Sequence, residues 1–319
     1  MERVNGLHHI TAIAGPAQEN LDFYAGVLGM RLVKRSVNQD DPGTYHLFYA
    51  DAEGHPGSDL TFFPLAQMAP ARAGYGLAME VGLEIPVGSL PFWGERLERY
   101  GTRIAREEQR FGQRLISFDD PHGLHVALVE GGSVRTFTPW DGGPVPGERQ
   151  IRGLFSARLW ERDSALTAAF LTGAMGFTRL GDETGWTRYG FANAVGVLDV
   201  REAADTRRGA WGVGAVHHLA WRVDDDAHQM LMRGRVEAAG ADATPVIDRF
   251  WFKSVYFREP GGVLFELATD GPGFAVDEDA NHLGESLVLP PWLESQRAAI
   301  EGVLPPLRLD VQAHSHTSR

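Results

Sequence analysis

The chain of 319 residues has no cysteine. That excludes disulfides, thiolate metal sites and a cysteine nucleophile, leaving histidine, aspartate and glutamate as the available metal ligands. Positive charge is in deficit: 30 basic residues stand against 42 acidic ones, a formal net charge of -12. A field of that sign repels phosphate backbones and anionic headgroups, so neither nucleic acid nor membrane is an expected partner. Long apolar runs are missing too, with no stretch of the roughly 18 residues that a spanning helix needs. The opening MERVNGLHHITAI lacks the basic-then-apolar order of an export signal, and a cytoplasmic location is expected. The 43% hydrophobic and 10% aromatic content is that of a chain able to bury a core.

Against these absences stands repetition. LDFYAGVLGMRLV (21–33) and LTAAFLTGAMGFTRL (166–180) both carry apolar residues at helical spacing, then a glycine stop, then a short strand. HPGSDLTFFP (55–64), DPHGLHVALVE (120–130) and EPGGVLFELA (259–268) each read as a tight turn opening an alternating strand. In order, these landmarks predict strand, helix and about three strands, four times over. The class is α+β: four βαβββ modules forming two open barrels, since one curved sheet cannot close alone. By sequence the modules divide into a first domain (6–132), a Gly/Pro-rich linker (133–150), a second domain (151–290) and a C-terminal extension (291–319). The architecture resembles the vicinal oxygen chelate superfamily.

Two strands open with paired histidines, GLHHITAIAG and AVHHLAWRV. Strict alternation lets one residue of each pair face the concave side of a sheet, but does not choose which. Glu266 interrupts the apolar strand GGVLFELATD, where the first two units have Phe62 and Ala127. It faces either solvent or the interior, and an interior carboxylate must be paired or coordinated. Two histidines and a carboxylate from different strands make the facial triad that binds non-haem iron(II) and leaves open positions; the same set holds catalytic zinc. A metal shared by the two pairs requires modules 1 and 4 to associate.

LHHITAIAG, YHLFYAD, RFGQR, RRGAWGVGAVHHLAWRV, YFREPGGVLFE and DEDANHLG together resemble the ring-cleaving dioxygenases that act on hydroquinone and chlorohydroquinone. The likeness spans about residues 6–290. It implies an Fe(II)-dependent extradiol-type dioxygenase, with Mn(II) or Zn(II) as alternative metals and a small aromatic diol and O2 as reactants. His9, His218 and Glu266 are implied as metal ligands, and Tyr256, Arg249, His8 and His217 as catalytic groups. Thr11 and Trp251 are expected to line the substrate pocket. His46 reads as a strand-face residue. The rival readings are a metal-dependent lyase or isomerase of the glyoxalase type, and a metal-free small-molecule binding protein. A homo-oligomer is compatible with either.

Overall fold

The computed structural model describes residues 2–191 and 194–310. Strand β1 (Leu7–Ala14) leads into helix α1 (Ala17–Leu21), extended by π-helical turns over Asp22–Val27. Strands β2 (Arg31–Asn38), β3 (Asp41–Ala50) and β4 (Asp59–Pro64) follow. The second passage is β5 (Leu77–Pro86), α2 (Leu90–Arg99), β6 (Ile104–Arg110), β7 (Gln113–Asp119) and β8 (His125–Gly131). The third is β9 (Gly153–Glu161), α3 (Ser164–Phe170), β10 (Thr178–Glu183), β11 (Trp186–Phe191) and β12 (Ala194–Glu202). The fourth is β13 (Val216–Val223), α4 (Asp226–Ala238), β14 (Ile247–Asp248), β15 (Lys253–Arg258) and β16 (Leu264–Thr269). A last helix, α5 (Arg297–Val303), lies in the C-terminal extension.

Local chemistry accounts for these boundaries. The Asp225 carboxylate accepts the His228 N–H at 2.9 Å and starts α4. Gln229, Met232 and Val236 make its buried face, and the Gln229 amide donates to the carbonyls of Lys253 and Leu267 at 2.8 and 2.9 Å. The turns before β8 and β16 are built alike. Asp120 accepts the N–H groups of His122 and Leu124, both at 2.8 Å. Glu259 accepts that of Val263 at 2.9 Å. Each turn places a glycine at positive φ, Gly123 at 88° and Gly262 at 105°.

Two eight-stranded sheets result, ordered β14-β15-β16-β13-β1-β4-β3-β2 and β10-β11-β12-β9-β5-β8-β7-β6. The first strand of each passage would be an open edge, and it is covered by the first strand of another. β1 runs antiparallel to β13, with Ile10 opposite Leu219. β5 runs antiparallel to β9, with Val81 opposite Ala157. Passage one therefore joins four, and two joins three, so residues 6–132 and 151–290 each give one unit to each sheet. A continuous apolar core including Ile10, Leu219, Trp221, Val81 and Leu159 runs behind both.

The C-terminal extension returns across β2 and β3. Val288 donates its N–H to the Arg35 carbonyl at 2.9 Å, and the Tyr45 hydroxyl donates to the carbonyl of Pro305 at 3.0 Å. No helix among the described residues is long and apolar enough to cross a membrane.

Candidate metal centre and its cavity

Both histidine pairs sit on β-bulges. Along β1, Leu7 faces Trp221 and His9 faces Ala220, so His8 is an extra residue. Along β13, His218 faces Thr11 and Val216 faces Ala12, so His217 is extra. A bulge re-aims a side chain that alternation would send to the opposite face. This corrects the expectation from strict alternation at the second pair, where both His217 and His218 line the cavity, while at the first pair only His9 does. The Nδ1 atoms of His8 and His9 lie 2.9 Å apart, and those of His217 and His218 lie 2.8 Å apart.

These contacts set the proton positions. His8 Nε2 lies 3.2 Å from the carbonyl of Thr269, which can only accept, so Nε2 carries the hydrogen. Burial, with help from the neighbouring His9, pushes His8 down to about 3, so the ring is neutral and its Nδ1 is bare. His9 then donates from Nδ1, and in its neutral form its Nε2 is bare as well. The His217–His218 contact repeats the geometry, and burial again pushes His217 down to about 3.

The bare nitrogens converge with a carboxylate oxygen. His9 Nε2 is 3.2 Å from His218 Nε2. Glu266 Oε2 is 3.3 Å from the former and 3.0 Å from the latter. All three side chains are buried, Glu266 completely. Glu266 Oε1 accepts the Ser254 hydroxyl at 2.5 Å, while Oε2 has no hydrogen-bond partner. Burial pushes the Glu266 carboxyl up, but positive charge at the two histidine positions outweighs it and holds the group well below the usual carboxylate range. Three acceptor atoms facing one another repel unless a cation lies between them. His9, His218 and Glu266 are the one group of three or more potential ligands that converge in this way among the described residues. The donor set therefore fits a divalent metal, with the N2O composition of both iron and zinc sites.

The centre opens into a cavity of about 280 Å³. His9, His217, His218, Arg249, Trp251 and Tyr256 line it. Burial, then the Glu266 charge, pushes the Tyr256 phenol above its ordinary value. His8 and Thr11 do not line the cavity. His8 stands behind His9, and the Thr11 hydroxyl is 2.7 Å from that of Thr61. His46 does line it, with Nε2 at 2.9 Å from Thr61 Oγ1. The turn residues Asn38, Gln39 and Asp40 line it too, as do Phe48, Phe63 and Phe252. No motif points to the turn residues or Phe252, whereas His46 and Phe48 lie in YHLFYAD and Phe63 in HPGSDLTFFP; the curl of the sheet brings them together.

The second sheet repeats the scaffold without the ligands. Met79 and Phe155 are its extra residues, so Glu80 and Ser156 take the places of His9 and His218. Cross-strand register puts Asp199 and Ala127 where β16 and β4 have Glu266 and Thr61. The first unit's equivalent of Glu266 is thus Thr61 rather than Phe62. Arg110 Nη1 is 2.5 Å from the Glu80 carboxylate, and Arg188 grips Asp199 at 2.7 and 3.0 Å.

Paired curled sheets with a buried His-His-Glu cluster at one seam describe the class of fold to which the chain belongs. The chain belongs to the Glyoxalase/Bleomycin resistance protein/Dioxygenase superfamily, whose model matches residues 6–128 and 153–267. It is 44% identical over 306 residues to MhqO of Bacillus subtilis (strain 168), provisionally named a ring-cleaving dioxygenase, covering 95% of this chain and 97% of that one. It is 36% identical over 301 residues to the chlorohydroquinone/hydroquinone 1,2-dioxygenase of Sphingobium indicum, covering 92% and 94%. A crystal structure of a provisionally named dioxygenase from Bacillus subtilis superposes with a TM-score of 0.91 at 42% identity, covering 98% of this chain and 100% of that chain.

Proposed function

We propose that this chain is a metal-dependent ring-cleaving dioxygenase of extradiol type, acting with O2 on hydroquinone-like aromatic diols in the cytoplasm. The observation that carries the reading is the convergence of three buried acceptors on a cavity with aromatic walls. The names of the relatives favour the same reaction class. His9, His218 and Glu266 would hold the metal, with iron(II) the preferred ion. When bound, it would supply Lewis acidity and a one-electron couple for the reaction of a diol with O2.

The chain's own groups do the rest. Phe48, Phe63 and Trp251 form apolar walls for a flat ring and exclude water. The Tyr256 phenol keeps its hydrogen through the neutral range and can donate it to a substrate oxygen. His217 lines the cavity, is fixed at Nδ1 by His218, and stacks its ring on Trp211 at 4.4 Å. With Nδ1 turned to His218, the neutral ring carries its hydrogen on Nε2 and can donate a hydrogen bond to a substrate oxygen. His8 orients His9 through Nδ1 and acts as a positioning residue.

The deciding experiment is anaerobic loading with Fe(II), then O2 uptake with hydroquinone, methylhydroquinone, 2,6-dichlorohydroquinone and catechol. Uptake with a ring-opened product, lost in His218→Ala, is the expected result. Fully iron-loaded protein that consumes no O2 with any of the four would end this reading.

A further inference from the structure

Strands β2 and β14 are the two outer strands of the metal-bearing sheet, yet the curl brings their turns together at the cavity mouth. Asn38 Oδ1 accepts the N–H of Asp40 at 3.0 Å and fixes the turn after β2. From that turn Gln39 donates its amide to the Arg249 carbonyl at 2.9 Å. The Asp40 carboxylate accepts both terminal nitrogens of Arg249, at 3.1 and 2.8 Å. The Arg249 side chain is 14% exposed and that of Asp40 is 74% exposed. A guanidinium at the cavity wall is thus closed off by a carboxylate on the water side.

The position of Arg249 matters for what enters. Its Cζ lies 5.5 Å from the centre of the Tyr256 ring, which in turn lies 5.7 Å from the ring of His218. A planar guanidinium presents a fork that matches a carboxylate. Left free, it would recruit an aromatic acid into the cavity. Paired end-on with Asp40 through both terminal nitrogens, it has its charge already met and that fork filled. An incoming carboxylate would lose its water beside a second carboxylate for a weaker contact with the remaining N–H groups.

Resting on the diol dioxygenase reading, we propose that Asp40 is a specificity-determining residue: by occupying Arg249 it makes the cavity select uncharged aromatic diols and reject diols with a carboxylate on the ring. Discrimination of this kind is a difference of affinities, obtained by withholding a partner from the wrong ligand. The device needs units one and four side by side, since Asp40 and Arg249 are 209 residues apart.

The test compares hydroquinone with 2,5-dihydroxybenzoate, the same ring bearing one carboxylate. Dissociation constants are measured by calorimetry on anaerobic, iron-loaded protein, with O2 uptake as a second readout. The variants are Asp40→Asn, Asp40→Glu and the double variant Asp40→Asn/Arg249→Gln. In Asp40→Asn the affinity ratio should move at least about tenfold toward the carboxylated ring. Asp40→Glu, which keeps the charge, should stay near the parent ratio, and the double variant should lose the gain. An unchanged ratio in Asp40→Asn overturns the proposal. A gain that persists in the double variant does so too, as does failure of every variant to bind either compound. Because the primary readout is binding, protein that consumes no O2 loses the dioxygenase reading while still deciding the role of Asp40.

Discussion

At the scale of single residues, the informative atoms are those whose protons can be assigned. His8 is held between the Thr269 carbonyl and His9 Nδ1, so its removal should loosen a ligand without removing one. We expect His8→Ala to weaken metal binding by about 10–100-fold, the usual cost of losing an outer-shell partner. Competition with a calibrated chelator measures this, and parent-like affinity would show that His9 needs no orienting partner. Glu161 poses a different problem far from the cavity. Its side chain is fully buried, neither carboxylate oxygen has a partner, and burial beside Glu259 pushes the group up to about 9. In the unfolded chain it titrates near about 4.3. Between those values the folded state holds the extra proton, so stability falls as pH rises, by at most about 1.4 kcal/mol per unit from this group. Glu161→Gln should flatten that slope, giving a stabilisation over the parent that grows from pH 6 to pH 9. Urea unfolding at the two pH values tests it, and parallel slopes would reject it.

At the scale of elements, the bulges explain why histidines come in pairs. A regular strand would send His8 and His217 to the opposite face, whereas an extra residue in each ladder turns both rings toward their neighbours. On the proposed function, adjacent histidines are a ligand and its orienting partner. The C-terminal extension has an equally specific task. Lys34 on β2 has no exposed side-chain surface, and its ammonium donates to Asp277 at 2.7 Å and also to Glu278. Asp277 in turn accepts the Trp251 indole N–H at 3.0 Å, so the extension holds one cavity wall. Lys34→Met leaves two acids without their cation and should cost about 3 kcal/mol, in the range for breaking a buried pair. Denaturant unfolding reads this directly. Asp277→Ala frees the indole and should raise KM for diols severalfold, with a smaller change in kcat; equal losses in both would argue against a binding-wall role.

At the scale of the molecule, two sheets share a scaffold and, among the described residues, only one carries a converging His-His-Glu cluster. In the other, the equivalent carboxylates of Glu80 and Asp199 are already paired with Arg110 and Arg188, which removes both the charge and the lone pairs that a cation would use. Elemental analysis after loading and desalting should therefore find about one metal per chain, and almost none in His218→Ala. A second equivalent retained in that variant would place a site in the arginine-filled sheet.

Much of this organisation was legible in the sequence because it is written in local chemistry. Helix stops at glycine, tight turns before β8 and β16, the absence of thiols and the paired histidines all depend on residues a few positions apart. What the sequence by itself determined was the repeated α+β plan, the types of ligand available and a short list of candidates including His9, His218 and Glu266. The tertiary structure decided which atoms meet. His9 and His218 are 209 residues apart, and their contact depends on β1 pairing with β13 in a register interrupted at two points. His46 and the turn of Asn38, Gln39 and Asp40 join the cavity only because the sheet curls until its outer strands approach. Register, bulge and curl arise from packing summed across the whole core, and no short stretch of chain encodes them.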